Sequence, residues 1–476
     1  MNESHQPTEQ QLDAQAQSVN RHTRRNFLRF SALAGAGMAA SWASPFDSLV
    51  SAGAQTTDDY RAIVCVFLYG GNDHYNTFVP NDSANYREYA RLRGSLAVPS
   101  RSILSINPTN GFAGAGTLGF APQFSRLHGL FGNGHAALVA NVGSMVAPLQ
   151  KPTWDSNPAL IPPSLGSHND QQSFWMSGLA EGANSGWGGR IGDSLNPLNV
   201  RNGGNPTFMS TSIAGNAVFL TGQQTQQFQV STSGPTALGS SDFDRATSMN
   251  AALDRLLRTE ASGLFPEAYS AVSKRALESS DQLEAALTNV EASHNFDRRF
   301  AQPTELADQL KMVAKMITAG KNELNLKRQV FFVGMGGFDT HNELAETHPA
   351  LLSIVDDAMA SFYQTTLDLG VANEVTAFTG SDFGRTLSIN DSGSDHGWGS
   401  THIVVGGAVR GNRAYGQVPT VALDGPNSTG RGRQLPTTAV DQYGSTLARW
   451  MGAGSDIEEI FPRIGRFDSD DLGFLA

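Results

Sequence analysis

The chain has 476 residues, 39% hydrophobic and 16% charged, with a formal net charge of −11 and a single cysteine. That composition excludes a fibre or a disordered tail and leaves room for one large core or two moderate domains. The acidic balance excludes a nucleic-acid binder, which needs a basic face to displace counterions from phosphate, and the lone Cys65 excludes an internal disulfide.

At the N-terminus, Thr23, Arg24, Arg25, Asn26, Phe27, Leu28 and Arg29 form a twin-arginine block, followed by a modestly apolar run over 30–43 and then Ala52-Gly53-Ala54. A basic region, an apolar region and an A-x-A site in that order predict a leader, residues 1–54, cleaved near Ala54. The apolar run is too short and too rich in Ala, Gly and Ser for a permanent membrane span. The expected partner at this end is the twin-arginine translocase, and the expected location is periplasmic or secreted. That route carries folded chains, which suits a protein that acquires a metal before export.

The mature part, 55–476, reads as one α/β domain. The run AIVCVFLYG, 62–70, has the continuous apolar pattern of a strand buried on both faces, and Asp73 follows it after Gly70, Gly71 and Asn72. A second buried strand is predicted over 135–142. The polar block Gly166 to Gln172 then leads into Ser173, Phe174, Trp175 and Met176, which could open a helix. The stretch 186–239 is rich in Gly, Asn, Ser, Thr and Gln and reads as an irregular insertion or cap that could extend to about residue 300. Leu253, Leu256 and Leu257, and later Leu306, Leu310, Val313, Met316 and Ile317, recur at helical spacing, with Gly320 as a stop. A strand over 329–333, a helix over 349–369, a strand over 375–379, another at 403–405 and a helix over 441–451 complete the pattern. Strands alternating with helices predict a mainly parallel central sheet between helices.

Candidate chemistry gathers just past three of these strands: Asp73 after the first; Asp339 and His341 after the middle one; Asp382, Arg385, Asp395, His396 and His402 after the last. The carboxyl ends of strands in an open α/β sheet are where ligands bind, and aspartate with imidazole is a donor set for zinc, manganese, magnesium or calcium. Each residue also has a plain structural reading. Asp73 could cap a turn, Asp339 could cap the next segment, and His396 could pack on Trp398. Ser167 could be a hydroxyl nucleophile held near a metal or a helix N-cap. Arg385 could grip a phosphate or sulfate through its planar fork or pair with a neighbouring carboxylate.

The blocks FLYGGNDHYNTFVP, GSHNDQQSFWMSG, VGMGGFDTHNE, SDFGRTLSIN and DHGWGSTHIVVGGAVRG, together with the leader, resemble in order the bacterial family of unknown function numbered 1501. That family is grouped with the alkaline phosphatase and sulfatase superfamily, so the resemblance implies an alkaline-phosphatase-like sheet, one or two divalent ions and a Ser, Thr or Cys nucleophile. On this chain it implies Asp73, Asp339, His341 and Asp382 as metal ligands, with His396 or His402 as the last histidine and Ser167 as nucleophile. Phe383 stands where a histidine ligand is usual, and Asp395 compensates. The activity implied is cleavage of a phosphate or sulfate ester on a small molecule or polymer. The rival expectation is a non-catalytic secreted or envelope binding protein on the same scaffold.

Overall fold

The computed structural model describes residues 59–235 and 264–476. The predicted leader and the periodic Leu253, Leu256 and Leu257 lie outside the described residues. Among the described residues no helix is long and apolar enough to cross a membrane.

The strands of the central sheet, numbered in chain order, are β1 (Arg61–Leu68), β2 (Ala113–Gly114), β3 (Ala136–Gly143), β4 (Ser210–Ser212), β5 (Phe228–Gln229), β6 (Arg328–Met335), β7 (Val375–Ser381), β8 (Ser400–Gly406), β9 (Arg413–Val418) and β10 (Thr438–Ala439). Their spatial order is β2-β9-β3-β8-β7-β1-β6-β4-β5, with β10 paired to β3. β1 lies within the parallel half between β7 and β6, Cys65 opposite Phe378 on one side and Phe332 on the other. β8 is the exception, antiparallel to both β7 and β3.

Burial on both faces is why these strands are continuous apolar runs. From β1, Ala62, Val64, Val66 and Leu68 join a core under the helices Glu305–Asn322 and Leu344–Asp368, while Ile63, Cys65 and Phe67 join a second core under Trp187–Arg201 and Val440–Met451. The buried Cys65 thiol is pushed well above its ordinary range by desolvation. The architecture is thus α/β, a mainly parallel sheet between helical layers.

Two local features depart from the composition-based expectation. The Gly- and Ser-rich stretch from 186 opens with a regular helix, Trp187–Arg201, because Trp187, Ile191 and Leu195 at four-residue spacing bury one face, and β4 and β5 continue the sheet beyond β6. The Glu305–Asn322 helix also runs past Gly320. A Cβ at that glycine would lie 2.1 Å from Gln329 Oε1, so the residue serves close packing against β6 rather than termination.

At the carboxyl ends of β1, β6 and β7 the following loops meet. Gly70, with φ +112°, lets the loop after β1 approach so closely that a Cβ there would lie 2.3 Å from Asp339 N. After β7 the chain forms a hairpin, Arg385–Asn390 against Gly393–His396, before returning as β8.

Candidate metal centre

Four side chains from three segments meet over these strand ends. His168 is the first residue of the helix His168–Ser177, Asp339 and His341 follow β6, and His396 ends the hairpin after β7. Donor atoms of His168, Asp339 and His396 all lie within 4.8 Å of one another, the one group with metal-binding geometry found among the described residues. His341 adds a fourth donor, its Nε2 being 2.8 Å from His396 Nε2 and 3.2 Å from Asp339 Oδ1.

The ring tautomers follow from the partners. His168 Nδ1 lies 2.6 Å from Asp382 Oδ2, His341 Nδ1 lies 3.2 Å from Asp395 Oδ1, and His396 Nδ1 lies 2.8 Å from the Gly166 carbonyl. Each partner oxygen can only accept, so each Nδ1 donates, and in the neutral ring each Nε2 is left with a lone pair. All three lone pairs point toward Asp339. His168 Nε2 is buried without a hydrogen-bond partner, with Asp339 Oδ2 3.4 Å away. The His341 and His396 nitrogens face each other at 2.8 Å, a contact that either a shared proton or a cation would satisfy. Donors at 2.0–2.1 Å on one tetrahedral zinc stand about 3.3 Å apart, close to the 3.2 Å and 3.4 Å separations here. The residues present therefore fit one divalent ion. Tying each ligand histidine back through its other nitrogen is the usual support of such a site.

Asp339 is held from below by Arg385, whose Nη1 donates to its Oδ1 at 2.8 Å. Burial alone would raise the Asp339 pKa, but Arg385 and the histidines bring it below the ordinary carboxylate value. His168 is shifted upward, first by its hydrogen bond to Asp382, and His396 downward, first by burial. Asp382 is fully buried and also accepts from Gln172 Nε2 at 3.0 Å and from Gly70 N–H. Asp395 accepts from Asn390 Nδ2 and pairs with Arg431 at 2.6 Å.

The sequence-derived candidates thus divide. Asp339, His341 and His396 meet as donors, while Asp382 and Asp395 stand one step back as anchors of His168 and His341. Asp73 lies elsewhere: it caps the turn at Tyr75 and forms a fully buried ion pair with Arg93. Burial would raise its carboxyl, yet Arg93 brings it down to about 2. His402 is a core residue whose Nδ1 meets Thr379 Oγ1, between Trp175 and Tyr443, and burial lowers it to about 3. Ser167 is the N-cap of the His168–Ser177 helix, accepting from Asp170 N–H. Arg385 is not a free anion fork: its fully buried guanidinium is spent on Asp339, the Gly70 carbonyl and the Ser394 carbonyl. The missed residue is His168, passed over beside the more conspicuous Ser167. Its signal was a histidine at a helix start after a glycine-containing turn.

A cleft of about 480 Å³ opens beside this cluster, lined by His341, Asp395 and His396 with Trp154, Trp398, Arg431 and Arg433.

A family model described as "Protein of unknown function (DUF1501)" matches residues 60–456. No curated protein matches the chain. Among solved structures, the chain is similar to Ps i-CgsB in complex with k-i-k-neocarrahexaose, at 9% identity over 83% of this chain and 72% of that one, TM-score 0.32. It is also similar to a Bacteroides thetaiotaomicron chain described under the metabolism of multiple glycosaminoglycans, at 10% identity over 84% of this chain and 74% of that one, TM-score 0.35.

Proposed function

The chain belongs to the DUF1501 family, and on that premise we propose that it is an exported, metal-dependent hydrolase of phosphate or sulfate esters, working with one divalent ion. The observation that supports this reading is the convergence of three imidazole Nε2 atoms on the Asp339 carboxylate, with every Nδ1 tied back. His168, His341, His396 and Asp339 would hold the ion. An imidazole-rich set favours zinc over manganese, magnesium or calcium. An ion of this kind polarises an ester oxygen and makes water a nucleophile at neutral pH.

The protein's own groups do the positioning. Asp382, Asp395 and the Gly166 carbonyl hold the rings in the tautomer that leaves Nε2 free, and Arg385 fixes Asp339 so that its carboxylate is aimed without reorganisation. Asp73 is committed to Arg93, which argues for one ion rather than two. Ser167 is committed to its helix, which argues for water rather than a hydroxyl as nucleophile. Export rests on the leader pattern of residues 1–54 alone.

The test is metal content by plasma mass spectrometry on protein purified without a histidine tag. The expected result is about one equivalent of zinc, lost in Asp339→Ala and His396→Ala, and ester turnover that disappears with it. Folded protein that retains no metal without ever meeting chelator would refute the hydrolase reading and favour a binding role.

A further inference from the structure

The cleft beside the cluster carries a feature that the metal-centre reading leaves unused. Arg433 is half-buried in its wall, and its Nε donates to the His396 carbonyl at 3.2 Å. Among the described residues no carboxylate forms an ion pair with it, although a guanidinium withdrawn from water ordinarily has an anionic partner. Arg431, two residues away, lines the same cleft, and among the described residues its one carboxylate partner is Asp395. Both are presented by one tight loop closed by the Ser428–Gln434 bridge and by the hydrogen bond from Thr429 N–H to the Arg433 carbonyl at 3.0 Å. At its tip Arg431 adopts φ +59°, left-handed backbone that a non-glycine residue keeps only when its surroundings impose it. Two like charges are thus held side by side with negative charge to spare for only one of them.

The same cleft is also lined by aromatic side chains. Trp154 is half-buried at the cleft, its ring 5.4 Å from that of the buried Trp398 and tilted by 46°. Trp398 is fixed in place, its Nε1 donating to the Ser144 carbonyl at 2.9 Å. A partly exposed tryptophan on a rigid backing presents a flat apolar face to a ring.

We propose that this cleft binds a tetrahedral oxyanion carried on a ring-bearing alcohol, Arg433 with Arg431 receiving the anion and Trp154 the ring. The inference rests on the metal-centre reading for the orientation of the ester, and it assigns anion recognition to Arg433 in place of the buried Arg385. The planar fork of arginine suits such an anion because it offers two parallel N–H donors.

The experiment is equilibrium binding of four probes, inorganic phosphate, inorganic sulfate, phenyl phosphate and phenyl sulfate, to the full chain freed of metal by chelator. Calorimetry and tryptophan fluorescence are the readouts. Each phenyl ester should bind more tightly than its inorganic anion, and Trp154→Ala should remove that preference while leaving the inorganic anions unchanged. Arg433→Gln should weaken all four by about tenfold or more, with Arg433→Lys recovering part of the loss and the thermal midpoints showing that the variants fold. Tighter binding of either the phosphate or the sulfate pair identifies the anion. Folded Arg433→Gln that binds like the unmodified chain, or phenyl esters no tighter than the inorganic anions, would overturn the inference. The two readings fail separately. Probe binding without any ester turnover defeats the hydrolase and keeps the subsite, whereas metal-dependent turnover untouched by Arg433→Gln and Trp154→Ala does the reverse.

Discussion

Replacing Asp382 by Asn keeps the shape of a fully buried side chain and removes its charge. Asp382 accepts from His168 Nδ1 at 2.6 Å, from Gln172 Nε2 at 3.0 Å and from Gly70 N–H at 3.3 Å. As a carboxylate it forces His168 to carry its proton on Nδ1 and leaves the Nε2 lone pair for the ion. An amide in the same place can turn its NH₂ toward Nδ1, in which case the proton moves to Nε2 and blocks that lone pair. It also withdraws the negative charge that raises the His168 pKa. Outer partners of ligand histidines are worth about 10–100-fold in metal affinity, or roughly 1.4–2.7 kcal/mol. Asp382→Asn should therefore weaken zinc binding by that factor in a competition titration against a chelating dye, with the far-UV circular dichroism unchanged. Zinc affinity within about twofold of the unmodified chain would refute the argument that His168 is a ligand oriented from behind.

Asp73→Ala should cost about 3–5 kcal/mol in urea unfolding, because it strands Arg93 as an uncompensated buried charge, and should leave zinc affinity as it was; loss of metal with full stability would restore Asp73 as a ligand. Acid should destabilise the metal-free protein early. Burial lowers His74 and His348 to about 4 and His402 to about 3, against an ordinary histidine value of 6.5. These folded values are depressed, so above 6.5 neither state binds the protons, and as pH falls from there toward 4 the unfolded chain takes up three that the folded chain refuses. Stability is then lost with a slope of up to about 4 kcal/mol per pH unit. A urea midpoint that stays flat from about pH 7 to about pH 5 would show that these rings are solvated.

Much of the scaffold could be read from the residues alone, for a physical reason. A strand covered on both faces is apolar at most positions, so 62–68 and 330–333 stand out as runs with no alternation. Their direction does not show in the same way: nothing in Ile403, Val404 and Val405 distinguishes the antiparallel β8 from its parallel neighbours. The Trp187–Arg201 helix was hidden by its own glycines, which allow tight packing but carry a loop-like composition. At the site, Asp339, His341 and His396 were legible because each follows a strand and a glycine. Asp73 also follows a strand and a glycine, and His402 lies in the same polar stretch within β8; only the fold reveals Arg93 against one and Trp175 and Tyr443 around the other. Which polar residue at a strand end is left free is decided by distant parts of the chain.

The candidate metal cluster also bears on the order of events during folding. His168, Asp339 and His396 are separated along the chain by 171 residues (339 minus 168) and by 57 residues (396 minus 339). Bringing such distant positions together has a loop-closure entropy cost that local contacts do not bear, and the loops carrying them meet only once β1, β6 and β7 lie side by side. An ion cannot seed this fold in the way it organises a zinc finger, where the ligands lie within a few turns of one another. An ion held here would meet a pocket that the chain has already closed. Which ion it took up would then depend on where the polypeptide finishes folding and on which free divalent metals are abundant there, as much as on the affinity of the donors themselves.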